Sequence, residues 1–411
     1  MTTLNYKKIA FFCVGLFWIA QVNPITLWIM SVNSGLGFGR IRASLFVASA
    51  LLLLCLIFIR SVCGKTRNLT ILANVGGLFL PLIVMVVFRV YLDIVKYGFT
   101  DLIGLFPFFE FLVAIFIFST INIHEWLNKN VKVVKLVAIF FLGAEVVLWL
   151  YSNATFISFG VFRANIGGLV LNRMPDLFFV GIATAFLHVK NTNSFQRALF
   201  ILAIIITLYR SAYLAVLTVL LYNFFIHYKN FRFFIFIKYT IGSLALLGLA
   251  LLVMQQWLKS DIVLTDVLWD RLSSTFLSES SVLNESSKSQ RIDQIMPLMH
   301  SIAESPIFGN GFAFKLLDAP IYNYFNYILI ALAIIGVPLL IQVLMVIFYM
   351  NKCRLRVKAA SDRDADMVMS SILVFFFVLI NVFPYVVYFP IASVFAFGVC
   401  YYIWRFKARF I

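Results

Sequence analysis

Runs of roughly twenty apolar residues, the length a helix needs to cross a hydrocarbon core about 30 Å thick, recur along the whole chain. They fall at about 9–31, 42–62, 71–92, 101–121, 132–152, 175–190, 195–209, 211–228, 233–255, 321–349, 367–384 and 388–405. This pattern predicts an all-α, polytopic membrane protein of about 12 transmembrane helices. Polar positions gather in one long interruption, 256–320, read as a large external, periplasmic loop. It divides the chain into transmembrane helices over 1–255, the loop itself, and a final group of helices with a cytoplasmic tail over 321–411.

The interruption has two textures. Leu272 to Ser289 is dense in serine (Ser273, Ser274, Ser278, Ser280, Ser281, Ser286, Ser287, Ser289), which predicts a flexible cover of the kind that forms lids. From Arg291 to Glu304, the apolar residues Ile292, Ile295, Met296, Met299 and Ile302 return at helical spacing. They predict an amphipathic helix resting on the membrane's outer face, kinked at Pro297. Pro306 stops the helix, and Gly309-Asn310-Gly311 then makes a tight reversal through backbone angles that glycine tolerates. A plain turn before the next span would account for the same two glycines. A Walker-type phosphate loop is excluded, because no Gly-Lys-Ser/Thr follows.

Composition removes the soluble alternatives: with 63% hydrophobic and 12% charged residues in 411, the chain carries more hydrocarbon than a soluble fold could hide. No small-residue cleavage site follows Lys7 and Lys8, so the first apolar run is expected to be a retained span. The five cysteines form neither a metal-binding set nor a disulfide framework.

The net charge of +16 admits two partners, nucleic acid or a lipid surface. Most of the basic residues flank the apolar runs on one side, among them Lys7, Lys8, Arg60, Lys129, Lys132, Arg197, Lys352, Arg354, Arg405 and Lys407. That favours anchoring to anionic membrane lipids, with no nucleic acid, and places both termini in the cytoplasm by the positive-inside rule.

Arg163, Arg173, Arg210, Arg271 and Arg291 oppose that rule and face outward. For Arg163 and Arg271 a solvated surface position is an equally good account. Arg210 is different, because the run before it, Phe195 to Tyr209, reaches only about 22 Å as a helix and leaves Arg210 below the outer surface. A guanidinium at that depth costs several kcal/mol unless it meets water, a partner charge or a bound anion. Snorkelling to the headgroups, or pairing with Glu145 or Glu110, is the structural alternative.

The order of these features resembles a known family. Arg291 followed by an amphipathic helix, then Pro306-Ile307-Phe308-Gly309-Asn310-Gly311-Phe312, then Asn326-Tyr327-Ile328-Leu329 with Gly336 beyond, is similar to the C-terminal half of the bacterial O-antigen ligase and polymerase superfamily. Leu208-Tyr209-Arg210-Ser211-Ala212-Tyr213-Leu214 resembles the superfamily's arginine-containing turn between two spans.

The resemblance implies a glycosyltransferase in the bacterial inner membrane, acting at its outer face without metal, nucleotide or other cofactor. Polyprenyl-diphosphate-linked oligosaccharide, such as an undecaprenyl carrier bears, would be donor and acceptor, and a chain-length regulator is a candidate partner. Arg210 and Arg291 would be catalytic, because guanidinium groups stabilise the charge that grows on the departing diphosphate. Arg163 and Arg173 are candidates for the same anion or for acceptor sugar. Gly309, Gly311, Tyr322, Asn323, Tyr324 and Asn326 complete the expected substrate-binding set.

One position departs from the ligases, which place a histidine immediately before the asparagine; here Phe325 stands there. This tilts the reading toward the polymerase branch, which joins repeat units of O-antigen or another surface polysaccharide, over transfer of the finished glycan to lipid A core. Glu145, Glu304 and Asp318 are all open as the group that takes the acceptor proton, while His300 reads better as an interface residue. The alternative outside the superfamily is a flippase for lipid-linked oligosaccharide. Transporters commonly show two similar halves joined by short loops. This chain shows no such similarity and has one long external insertion.

Overall fold

The computed structural model describes residues 67–97, 122–155, 163–166, 169–172, 177–187, 189, 192–227, 295–312, 315–316, 319–320, 327–355, 363–382 and 391–407, with scattered positions in 111–119 and 237–245. The predicted spans at 9–31 and 42–62, most of those at 101–121 and 233–255, and the serine-rich stretch lie outside the described residues.

Elsewhere the apolar runs are helices: α1 (Arg67–Tyr97), α2 (Ile123–Thr155), α3 (Leu177–Phe186), α4 (Ser194–Ile206) and α5 (Arg210–His227). After the loop helix α6 (295–304) come α7 (Tyr327–Ile335), α8 (Val337–Leu355), α9 (Arg363–Val382) and α10 (Ile391–Lys407). Among the described residues, Gly76–Lys96 of α1 and Ile123–Thr155 are long and apolar enough to cross a membrane, and the remaining apolar helices are shorter.

Local capping explains why two helices start where they do. α2 begins well before its apolar run because the Asn122 side chain accepts the Glu125 N–H at 3.1 Å and donates back to the Glu125 carboxylate at 3.2 Å. α4 opens on a full capping box, in which Asn193 accepts from the Gln196 N–H and Gln196 accepts from the Asn193 N–H. Each box satisfies helix-end donors that would otherwise lack partners.

The helices pack in two groups. One joins α3, α4 and α5 to α2 and α9, around Phe186, Phe200, Phe375 and Phe376. The other joins α1, α7 and α10 to the opposite flank of α9, around Phe118, Met369, Cys400 and Tyr401. α9 therefore runs between the two, and glycines let neighbours close on it. A Cβ on Gly181 of α3 would lie 2.8 Å from the Phe375 ring, and one on Gly398 of α10 would lie 2.6 Å from Leu373.

Polar side chains inside the bundle are joined across helices. Asn223 of α5 and Ser371 of α9 exchange hydrogen bonds at 2.9 and 3.2 Å. Asp366 of α9 takes both the Arg405 guanidinium and the Tyr402 hydroxyl of α10. Arg197 of α4 donates to the Leu187 and Val189 carbonyls just past the end of α3, at 3.1 and 3.3 Å. Where water is scarce, such pairing is the way a polar group avoids the cost of burial.

Two features depart from the expected pattern. The run at 321–349 is two helices, because Gly336 adopts a φ of 91° between α7 and α8. Two small antiparallel ribbons also occur: β1 (Arg163–Ile166) with β2 (Leu169–Asn172), and β3 (Lys315–Leu316) with β4 (Ala319–Pro320). In α6, Leu298 and Ser301 are buried and Ile302 half-buried against the protein, whereas Ile295, Met296 and Met299, on the face expected to rest on the membrane, are exposed.

Candidate functional site

The Arg210 turn comes first in the chain. α4 has 13 residues and spans about 20 Å. Thr207, Leu208 and Tyr209 then reverse the chain, and Arg210 is the first residue of α5. Leu208 has a φ of 54°, a left-handed conformation that costs a non-glycine residue roughly 1–2 kcal/mol. It is held there by burial of its own side chain and by bonds across the turn: the Thr207 hydroxyl donates to the Ile204 carbonyl at 2.8 Å and the Tyr213 hydroxyl to the Ile205 carbonyl at 2.6 Å. The result is a rigid, strained corner that presents Arg210 at a helix N-terminus, where peptide dipoles also favour an anion. Tyr213→Phe is expected to cost about 1 kcal/mol, the usual net worth of such a bond. A fall of a few degrees in melting temperature, against an unchanged value, decides this.

The second assembly is the turn after α6. Gly309 (φ 65°) and Gly311 (φ 100°) flank Asn310 in a reversal that L side chains rarely adopt. Its backbone is knitted to the break between α7 and α8. The Asn310 N–H donates to the Ala333 carbonyl at 2.6 Å, the Gly311 N–H to Ile334 at 3.1 Å, and the Val337 N–H to Pro306 at 2.7 Å. Asn310 also reaches back to α6, donating at 2.7 Å to both the Ser301 carbonyl and its hydroxyl. The glycine N–H groups are thus engaged within the protein, and the turn's contribution to a site lies in its shape.

Under the turn stands a pair that the apolar pattern had concealed. Arg89 and Asp93, one helical turn apart on α1, form an ion pair at 3.0 Å. Arg89 Nη1 donates to the Gly309 carbonyl at 3.1 Å and to that of Phe308 at 3.4 Å, and Asp93 Oδ2 accepts the Phe312 N–H at 2.6 Å. The only sequence signal was an arginine and an aspartate at i, i+4 near the end of an apolar run, which reads as an ordinary helix pair.

The Arg210 corner lies toward the C-terminal end of α9, because Asn223, late in α5, bonds to Ser371, early in α9, and the glycine turn is placed by its bonds to the break between α7 and α8. Their packing groups differ, with Leu208, Ala212 and Tyr213 in the first and Leu298, Phe312 and Ile334 in the second.

The other sequence candidates are distributed as follows. Arg163 opens β1, opposite Asn172 in the ribbon register. Arg173, Arg291, Tyr322, Asn323, Tyr324 and Asn326 lie outside the described residues, as does Asp318. Glu145 is buried in the first packing group, while Glu304 is exposed and paired with His300 at 3.3 Å. Among the described residues no cluster of three or more His, Cys, Asp or Glu could hold a metal ion.

Residues 197–344 match the family described as O-antigen ligase. This part of the chain is similar to the O-antigen ligase and polymerase superfamily. The matched segment takes in the Arg210 corner, Arg291, the glycine turn, residues 322–326 and Gly336, and leaves Arg163, Arg173 and the Arg89–Asp93 pair outside its bounds. No curated protein and no solved structure matches the chain.

Proposed function

We propose that the protein is a glycosyltransferase of the bacterial inner membrane that polymerises polyprenyl-diphosphate-linked oligosaccharide repeat units of a surface polysaccharide. The observation that carries this reading is the superfamily match over 197–344, which encloses both arginines and the glycine turn that follows Arg291. Twelve spans, cytoplasmic termini and an outward-facing loop complete the reading, supported by the distribution of basic residues.

In this reading an acceptor sugar hydroxyl attacks the anomeric carbon of the donor. The bond to the diphosphate oxygen breaks, and the electron pair leaves with the diphosphate. Arg210, fixed by its strained corner at the N-terminus of α5, meets that charge from the membrane side, and Arg291 meets it from the external segment. Fixed donors in a site of low dielectric stabilise developing charge without reorganising. The acceptor's proton passes to a carboxylate, for which Glu145, Glu304 and Asp318 are the candidates. Tyr322, Asn323, Tyr324 and Asn326 bind sugar through hydroxyl and amide groups, with Arg163, which opens β1, and Arg173 as further contacts. No metal or nucleotide takes part in these steps.

The second reading is a ligase that moves the glycan to lipid A core. It is favoured by the description of the matching family, whereas Phe325 before Asn326 favours the polymerase. Deleting the gene in its host and resolving the extracted surface glycan on a gel separates them. A single repeat unit on lipid A core, with the ladder gone, is the polymerase outcome. Polymer held on its polyprenyl carrier beside bare core is the ligase outcome. Repeat units trapped on the cytoplasmic face would overturn both in favour of a flippase.

A further inference from the structure

The Arg89–Asp93 pair is a costly way to hold a turn. The two side chains are 11% and 7% exposed. Removing two charges from water consumes most of what their attraction returns, so an apolar pair of similar volume often stabilises a fold equally well. What an apolar pair lacks is direction. Arg89 and Asp93 grip the turn from both sides: one side chain donates to the carbonyls before Asn310, and the other accepts the N–H of Phe312. The fit leaves no slack, since a Cβ on Gly311 would fall 2.0 Å from Asp93 Oδ1 and 2.4 Å from Arg89 Nη2. These bonds join residues about 220 positions apart, so α1 dictates where the external turn sits.

The turn in turn connects the two stretches that carry chemistry. Upstream it is tied through Asn310 and Ser301 to α6, the helix that follows Arg291. Downstream it leads to 322–326 and is tied to the helix that follows them through Ala333 and Ile334. We propose that Arg89 and Asp93 are positioning residues for glycosyl transfer, holding the Pro306–Phe312 turn so that Arg291 and residues 322–326 address the same donor as Arg210. The inference rests on the functional reading above. Neither residue touches substrate; each acts through the turn, and a misplacement of about 1 Å at a reacting centre costs up to about 100-fold in rate.

The test uses the full-length protein in lipid nanodiscs, supplied with the lipid-linked units that accumulate in the deletion strain. It measures kcat, KM for those units, and the melting temperature. The Arg89→Met/Asp93→Leu variant fills the same space without directed bonds. It should melt within a few degrees of the native protein, with KM within about threefold and kcat lowered about 10- to 100-fold. Arg89→Lys, which keeps the charge but loses the fork, should fold and fall between the two.

Native kcat in both variants, or losses no greater than the unfolded fraction, would overturn the positioning role. Arg210→Ala run alongside keeps the two ideas separate. If it is inactive while the pair variants are native, only the positioning inference fails. If it turns over normally, the site reading itself fails.

Discussion

Replacing Arg210 with alanine is expected to slow transfer by about 100- to 1,000-fold, the usual consequence of removing one preorganised donor from developing negative charge. The corner that holds it should survive. The turn is fixed by bonds from the Thr207 and Tyr213 side chains and from the backbone of Tyr209, whose carbonyl accepts the Ala212 and Tyr213 N–H groups at 3.1 and 3.2 Å. The variant protein should therefore insert and melt like the native one while its product shortens to single units. Arg210→Lys should recover only a minor part of the loss, because a compact ammonium cannot make the paired, planar contacts of a guanidinium with a diphosphate oxygen pair. Arg291→Ala should give a loss of the same order. The measurement is product length on a gel together with turnover of the lipid-linked donor, normalised to inserted protein. Full-length polymer from both alanine variants would remove these residues from the site.

The largest effect on stability is expected from Gly311→Ala, at about 2 to 5 kcal/mol. Two independent causes add. A φ of 100° is strained for any L side chain, and the new methyl would lie 2.0 Å from a carboxylate oxygen and 2.4 Å from a guanidinium nitrogen, both buried. Neither side chain can withdraw without breaking its bond to the turn or to its partner. Gly309→Ala should be comparable, since its Cβ would meet the Ile334 carbonyl at 2.3 Å. Gly76→Ala supplies the contrast: it lies within α1, none of the described residues stands within 4 Å of its Cβ position, and alanine is there the better helix former. Thermal melting in detergent should rank the three, with Gly76→Ala at or above the native protein. A Gly311→Ala variant that melts like Gly76→Ala would show that the turn does not close on Arg89 and Asp93.

Much of the architecture is a local property and could be read from the chain directly. Apolar runs become helices because a buried backbone must satisfy its own hydrogen bonds, and the run at 132–152 lies inside α2 for that reason. The Asn193–Gln196 cap, the reversal at Gly309-Asn310-Gly311 and the isolated arginine at the start of α5 are likewise written into short stretches. So was the resemblance that the match over 197–344 bears out, because its motifs are short segments in a fixed order.

What the tertiary structure alone decided are the partners. Asn223 meets Ser371 across 148 positions, and Arg89 reaches a turn 220 positions away, distances over which no periodicity carries information. The break at Gly336 depends on the Pro306 carbonyl being there to take the Val337 N–H, so an apolar run that reads as one span becomes α7 and α8. α6 meets the turn through Ser301, which Asn310 holds, and through buried Leu298, while Met296 and Met299 stay outside. Hydrophobic spacing specifies that a helix has an apolar side. Which side is buried depends on directed bonds to residues that are neighbours only once the chain has folded.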